Sequence, residues 1–310
     1  MARRGGARIV GLGTARGAAI NLHGSWAERE TGAAELPDLA DAGLRTRFRE
    51  AFAGARPFPH VVVGGLFETG FLRRVAAEFD GGLEGARTID NVRERTFRST
   101  DPAQFGPATQ RYFDLMHRHA MVDFLQAVSG IAPLIVDPLL MNGGLHESRD
   151  GGRFAIHRDF NRHRQTMLDN ALIAITYLND EWRPEWGGEL ELWCHRRQRV
   201  VRSIAPVMGR TVIFAHGPHS YHGHTVPIDT GGTVPRRSVA TYYYTRRVGL
   251  GDRLGYHSTV FAVDGKGRFA PSDVVPAGAG ATLRQRAGEA ARLVVPPLLW
   301  NWGRHLAGGL

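Results

Sequence analysis

The chain has 310 residues, is 43% hydrophobic and carries a formal charge of +9, enough apolar material for one large domain or two small ones with a real core. Its one cysteine, Cys194, excludes an intramolecular disulfide and a cysteine-built zinc site, so any redox chemistry must come from a bound cofactor. Lys266 is the sole lysine; the charge is arginine, and it reads as solvated faces, ahead of a carboxylate-bearing substrate and well ahead of nucleic acid.

No apolar run approaches the roughly 20 residues of a membrane-spanning helix. Met1-Ala-Arg-Arg has the charge of a signal-peptide start, but Ile9 to Leu12 is too short and glycine-broken to follow it. The cytoplasm is therefore the expected location. Residues 1–40 are Gly-, Ala- and Arg-rich without sustained periodicity and read as a poorly ordered or loosely docked lead-in. Gly11-Leu-Gly13-Thr-Ala-Arg-Gly17 mimics a dinucleotide loop, but lacks the preceding strand and following βαβ unit.

Helical spacing predicts helices over Ala40 to Phe52 and Phe67 to Phe79, separated by Pro57 and Pro59, with His60 to Val63 a short strand. A longer amphipathic helix is predicted from Pro107 to Val128, burying Tyr112, Leu115, Met116, Met121, Phe124, Leu125 and Val128. After Gly130 the texture becomes β-rich. Strands are predicted at Leu134 to Met141, Arg153 to Arg158, Ala171 to Leu178, Gly188 to Trp193, Arg199 to Ile204, Arg210 to Ala215 and Ser238 to Thr245. This many short strands between Gly, Pro, Asn and Asp turns argues for a sandwich or jelly roll. Beyond residue 247 the chain mixes loop with a helix expected from Ala281 to Arg292 and an apolar end, Leu293 to Trp300, read first as docking on the domain.

Chemistry concentrates between Phe154 and Tyr244. Strand side chains alternate faces, so His157 and Asp159 can project together, and Ser220-Tyr-His222-Gly-His224 offers a distal histidine. Two histidines and one carboxylate with open positions suit non-heme Fe(II).

The series Phe154-Ala-Ile-His157-Arg-Asp159, Ile175-Thr-Tyr177-Leu-Asn179, Trp186-Gly-Gly188-Glu-Leu-Glu-Leu-Trp193, Gly209-Arg-Thr-Val-Ile-Phe214, Ser220-Tyr-His222-Gly-His224 and Arg236-Arg-Ser238 resembles the Fe(II)/2-oxoglutarate-dependent dioxygenases of the prolyl-4-hydroxylase-like branch. Arg56-Pro-Phe-Pro-His-Val is similar to the usual entry of that domain. The resemblance implies an α+β fold, with a double-stranded β-helix (jelly roll) core, supporting N-terminal helices and a C-terminal helical tail. The implied division is a lead-in at 1–40, a dioxygenase domain at 41–247 with its core at about 131–247, and a loop and helix extension at 248–310. It further implies iron held by His157, Asp159 and His222, with His224 the alternative distal ligand. Arg236 would anchor 2-oxoglutarate, its planar fork matching a carboxylate, beside Ser238 on the same inward face and the Tyr177 hydroxyl; Arg237 takes that place if the register slips by one.

The implied reaction consumes 2-oxoglutarate and O2, with ascorbate as an accessory reductant, and hydroxylates an unactivated C–H bond; the retained Asp159 argues against halogenation. The expected substrate is a prolyl or other residue of a peptide or protein, or an amino-acid-derived small molecule. The competing expectation is a non-catalytic metal-binding jelly roll acting as a sensor or binding module. A homodimer through the C-terminal tail is the second reading of its apolar end.

Overall fold

The computed structural model describes residues 19–22, 36–246 and 258–262. The helix expected at 281–292, the apolar end and the Gly11–Gly17 loop lie outside them.

In chain order the described elements are β1 (Ile20–Asn21), α1 (Ala42–Gly54), β2 (His60–Gly64), α2 (Thr69–Ala77), α3 (Phe79–Gly82), β3 (Arg87–Asp90), β4 (Glu94–Ser99), α4 (Pro107–His117), α5 (His119–Ser129), β5 (Ile135–Val136), β6 (Gly144–Ser148), β7 (Arg153–Arg158), β8 (Asp169–Tyr177), β9 (Leu190–Cys194), β10 (Arg199–Ile204), β11 (Arg210–Ala215), β12 (His222–His224), β13 (Arg236–Thr245) and β14 (Val260–Phe261). The long helix predicted from Pro107 is two: Arg118 is extended (φ −63°, ψ 146°) and breaks it. The strand predicted from Leu134 shrinks to two residues, because the Asp137 carboxylate accepts from the Leu139 and Met141 amides and folds the rest into a turn.

The strands follow the order β1-β2-β11-β8-β13-β6-β4-β7-β12-β9-β10. All the pairings are antiparallel except β1 with β2, and β4 pairs with both β6 and β7. The ribbon thus curls into two facing layers, β2-β11-β8-β13-β6 and β7-β12-β9-β10, with β4 joining them along one side. This is the jelly-roll, double-stranded β-helix arrangement with supporting helices.

Alternation explains the two cores. On β8, Leu172 and Ala174 join the helices' Phe48, Phe71, Tyr112, Phe124 and Leu125, whereas Ile173 and Tyr177 face inward to Leu190, Leu192, Val212 and Phe214. A buried hydroxyl chain ties the helical layer down: the Tyr112 hydroxyl donates to Thr176 at 2.8 Å, and Thr176 bonds Thr211 at 2.9 Å. Upstream, Ile20–Asn21 adds beside Val63–Gly64, and Leu22 is fully buried in the helix-side core.

Candidate metal and cosubstrate site

β7 and β12 pair side by side in the second layer, with His222 opposite His157 and His224 opposite Phe154. Three residues of β7 thus span two of β12, a bulge that turns Phe154 and His157 toward the same interior. Gly223 permits the close pairing, since a Cβ there would meet the Phe154 carbonyl at 2.6 Å.

His157, Asp159 and His222 are all buried, and one ligand atom from each lies within 4.8 Å of the others. His157 Nε2 is 3.4 Å from Asp159 Oδ1 and His222 Nε2 is 3.7 Å from Oδ2. Each imidazole is oriented from behind: His157 Nδ1–H donates to the Ala155 carbonyl at 2.8 Å and His222 Nδ1–H to the Ser220 carbonyl at 2.9 Å. With Nδ1 of each ring engaged by a carbonyl, both Nε2 atoms turn inward, the orientation a metal ligand requires. Phe154 stacks on the His157 ring at 3.7 Å between centroids, and Phe214 meets His222 edge-on at 4.7 Å.

Electrostatics favour a neutral His222 and an ionised Asp159. Burial, reinforced by His157, pushes His222 down to about 4, against the opposing pull of Asp159. Burial works against a charged Asp159, but its hydrogen bond with His157 and the fields of His222, His157 and His216 outweigh it and hold the carboxyl well below the usual range. At neutral pH His222 is therefore a neutral imidazole and Asp159 a carboxylate. That donor set fits a borderline or hard divalent ion such as Fe(II) with positions left open.

The same cavity is lined by Arg236, Tyr177 and Ser238. Arg236, Ser238, Ala240 and Tyr242 share the inward parity of β13. Arg236 is buried; its Nε donates to the Gly188 carbonyl at 2.7 Å, a terminal nitrogen donates to the Tyr177 hydroxyl at 3.3 Å, and the guanidinium lies over the Tyr177 ring. Gly187 and Gly188 have φ of 67° and 65°, which puts that carbonyl in place. Arg237 faces the other way, onto Glu147 and Asp80. Asn179 fixes this register, its side chain donating to the Arg237 carbonyl and accepting from the Arg237 amide.

His224 lines the cavity too, but the group whose ligand atoms converge closely enough to hold a metal ion is His157, Asp159 and His222. His216 Nε2 reaches the Asp159 backbone carbonyl at 3.1 Å. Several lining residues escape sequence reasoning. Tyr242, whose hydroxyl donates to Asp159 Oδ2 at 3.2 Å, shares the parity of Arg236 and Ser238, and that signal could have found it. Thr96 and Arg98 on β4, and His146 and Ser148 on β6, turn polar side chains inward, against the hydrophobic-in pattern by which strands are recognised.

Fold and site together define a double-stranded β-helix with two histidines and one carboxylate at one part of its interior that could hold a metal ion. Residues 143–244 match the model of the 2OG-Fe(II) oxygenase superfamily, the family whose resemblance the motifs carry. No curated protein matches the chain. Among solved structures it is similar to a prolyl-4-hydroxylase from Pseudomonas putida, at 20% identity over 65% of this chain and 100% of that one with a TM-score of 0.45. A prolyl hydroxylase from Trichoplax adhaerens, in complex with a hypoxia inducible factor peptide fragment, is 13% identical over 67% of this chain and 95% of that one, TM-score 0.48. HygX from Streptomyces hygroscopicus, with nickel, 2-oxoglutarate and hygromycin B bound, is 16% identical over 64% and 87%, TM-score 0.44. Among the described residues no helix is long and apolar enough to cross a membrane.

Proposed function

We propose that the chain is an Fe(II)- and 2-oxoglutarate-dependent dioxygenase that hydroxylates an unactivated C–H bond of a prolyl or other amino-acid residue or of an amino-acid-derived small molecule. The observation that carries this reading is one cavity lined by His157, Asp159 and His222 and also by Arg236, Tyr177 and Ser238. His157, Asp159 and His222 would hold Fe(II), and Arg236 with Tyr177 and Ser238 would hold the distal carboxylate of 2-oxoglutarate.

The iron, when bound, supplies the oxidation, in which 2-oxoglutarate and O2 yield succinate, carbon dioxide and one oxygen atom inserted into the substrate C–H bond. The chain's own residues position and protect. Arg236, held by Gly188 and Tyr177, presents a preset fork to the cosubstrate and loses little freedom on binding it. The carbonyls behind His157 and His222 keep both rings aimed, and the Tyr242 hydroxyl holds one oxygen of Asp159. Phe154, Phe160, Ile175, Leu190 and Ala240 give the cavity an apolar lining that limits water.

Anaerobic reconstitution with Fe(II), with and without 2-oxoglutarate, tests the assignment through the visible metal-to-ligand charge-transfer band. The band is expected only with 2-oxoglutarate, weakened in Arg236→Ala and lost in His222→Ala. A metal-replete wild type that shows no band overturns the dioxygenase reading in favour of a metal-binding module without turnover.

A further inference from the structure

The oxidation just described leaves one wall of the cavity without a task. β4 and β6 contribute Thr96, Arg98, His146 and Ser148 to the lining, with Arg98 opposite His146 in the register. Arg98 is largely buried and held on one edge only. A terminal nitrogen donates to the Glu94 carboxylate, which also accepts from the Thr96 hydroxyl at 2.6 Å. Its guanidinium lies over the Phe154 ring at 5.0 Å, and Phe154 in turn stacks on His157. Arg98 Nε is buried with no hydrogen-bond partner among the described residues, and neither has Nδ1 of His224 on the same cavity. Burying such a donor without an acceptor is unfavourable, so the wall is built to receive one. Asp159 is the one acidic residue lining the cavity among those described, and it belongs to the metal cluster. The remaining charge on the lining is cationic.

The surroundings also limit the size of what enters. Along its free edge, β7 pairs with β4 at Arg153 and Phe154 and with β14 at His157 and Arg158. A peptide recognised by strand addition needs unpaired backbone on such an edge; beside His157 the chain's own residues 260 and 261 already occupy it. Thr259 lines the cavity, and the Phe261 ring lies 6.0 Å from His157, between centroids, with the Arg93 guanidinium over that ring at 4.4 Å from its centroid.

We propose that the primary substrate is a small organic acid whose carboxylate binds the unpartnered edge of Arg98, rather than a residue within a protein chain. The inference rests on the dioxygenase reading and narrows its substrate class. Arg98 is then the residue that sets substrate specificity, while Arg236 serves the cosubstrate.

The full chain, loaded anaerobically with Fe(II) and saturating 2-oxoglutarate, is titrated with small mono- and dicarboxylic acids including the free amino acids, with the matching carboxamides, and with an end-blocked prolyl tripeptide. Perturbation of the charge-transfer band and the thermal midpoint report binding. At least one acid is expected to bind saturably and its carboxamide about tenfold or more weakly. Arg98→Met is expected to weaken that acid by a similar factor, with Arg98→Lys recovering part of it and 2-oxoglutarate affinity unchanged in both. Because Arg98→Met leaves the buried Glu94 carboxylate without its cation, the double variant Glu94→Gln/Arg98→Met provides the same readout if the single variant does not fold. Failure of every acid to bind, equal binding of acid and carboxamide, binding of the blocked peptide alone, or loss of 2-oxoglutarate affinity in the Arg98 variants would each overturn the proposal. A wild type with no band at all overturns the dioxygenase reading itself, whereas a normal band with no second acid bound overturns only the role of Arg98.

Discussion

At the residue scale, the candidate metal site depends on groups outside the His157, Asp159 and His222 cluster. The Tyr242 hydroxyl bonds Asp159 Oδ2, and both ligand histidines are aimed by backbone carbonyls. Partners of this kind commonly change metal affinity by about 10- to 100-fold when removed. Tyr242→Phe is accordingly expected to weaken Fe(II) or Co(II) binding by about tenfold or more, with the thermal midpoint of the metal-free protein little changed because the ring remains; a competitive chelator titration measures it, and unchanged affinity would show that Asp159 is positioned without the tyrosine. Much of this constellation was legible in the sequence. His157 and Asp159 are two apart on a recognisable strand, and the parity of β13 separates Arg236 from Arg237. Tyr242 was not picked out because it lies in a run of three tyrosines, Tyr242 to Tyr244, of which Tyr243 packs in the helix-side core while Tyr242 and Tyr244 face the interior core.

At the scale of elements, the turn before β9 links the backbone to the placement of Arg236, the proposed cosubstrate anchor. Gly187 has φ 67° and ψ −153°, and a Cβ there would lie 2.6 Å from the Pro227 carbonyl. Both the conformation and the contact are closed to other residues, at a cost of about 1–3 kcal/mol or more. Because the next carbonyl, that of Gly188, accepts from Arg236 Nε, Gly187→Ala is expected to lower stability in urea unfolding by that order and to weaken 2-oxoglutarate binding as well. A destabilised variant with wild-type cosubstrate affinity would show that the Arg236 fork is set by Tyr177 alone. The strands that went unpredicted are instructive in the same way. β4 reads Glu94-Arg-Thr-Phe-Arg-Ser and β6 Gly144-Leu-His-Glu-Ser, and both turn polar residues toward the cavity, so their alternation carries no apolar face for the usual pattern to detect. The break at Arg118 escaped because the apolar periodicity continues across it: Met116 and Met121 both end fully buried, and no proline or glycine marks the kink.

At the scale of the whole molecule, the two layers are joined on one side by the strand pairing of β4 and tied on the other by side chains. His60, at the start of β2, donates from Nδ1 to the Phe58 carbonyl at 2.8 Å and accepts at Nε2 from the Arg202 guanidinium of β10 at 2.6 Å. A protonated His60 could not accept that bond and would meet Arg202 as a like charge. Burial, with Arg202 adding to it and the Phe58 carbonyl opposing, pushes His60 down to about 4. An unfolded histidine titrates near 6.5, as a general reference value. Above that pH both states are neutral and His60 introduces no pH dependence. As pH falls below it, the unfolded chain takes up a proton that the folded chain refuses, so stability declines until the folded histidine also titrates near 4. Between pH 7.5 and 5.5 this one group should remove about 1 kcal/mol. His146, pushed down to about 3 by burial and by Arg98, adds a loss of the same sign. Urea unfolding of the metal-free protein at the two pH values should show a larger drop for wild type than for His60→Gln, whose side chain can still accept from Arg202 but does not titrate. Equal drops in the two proteins would mean that His60 takes up its proton in the folded state as readily as in the unfolded one, and that the tie between β2 and β10 tolerates the charge.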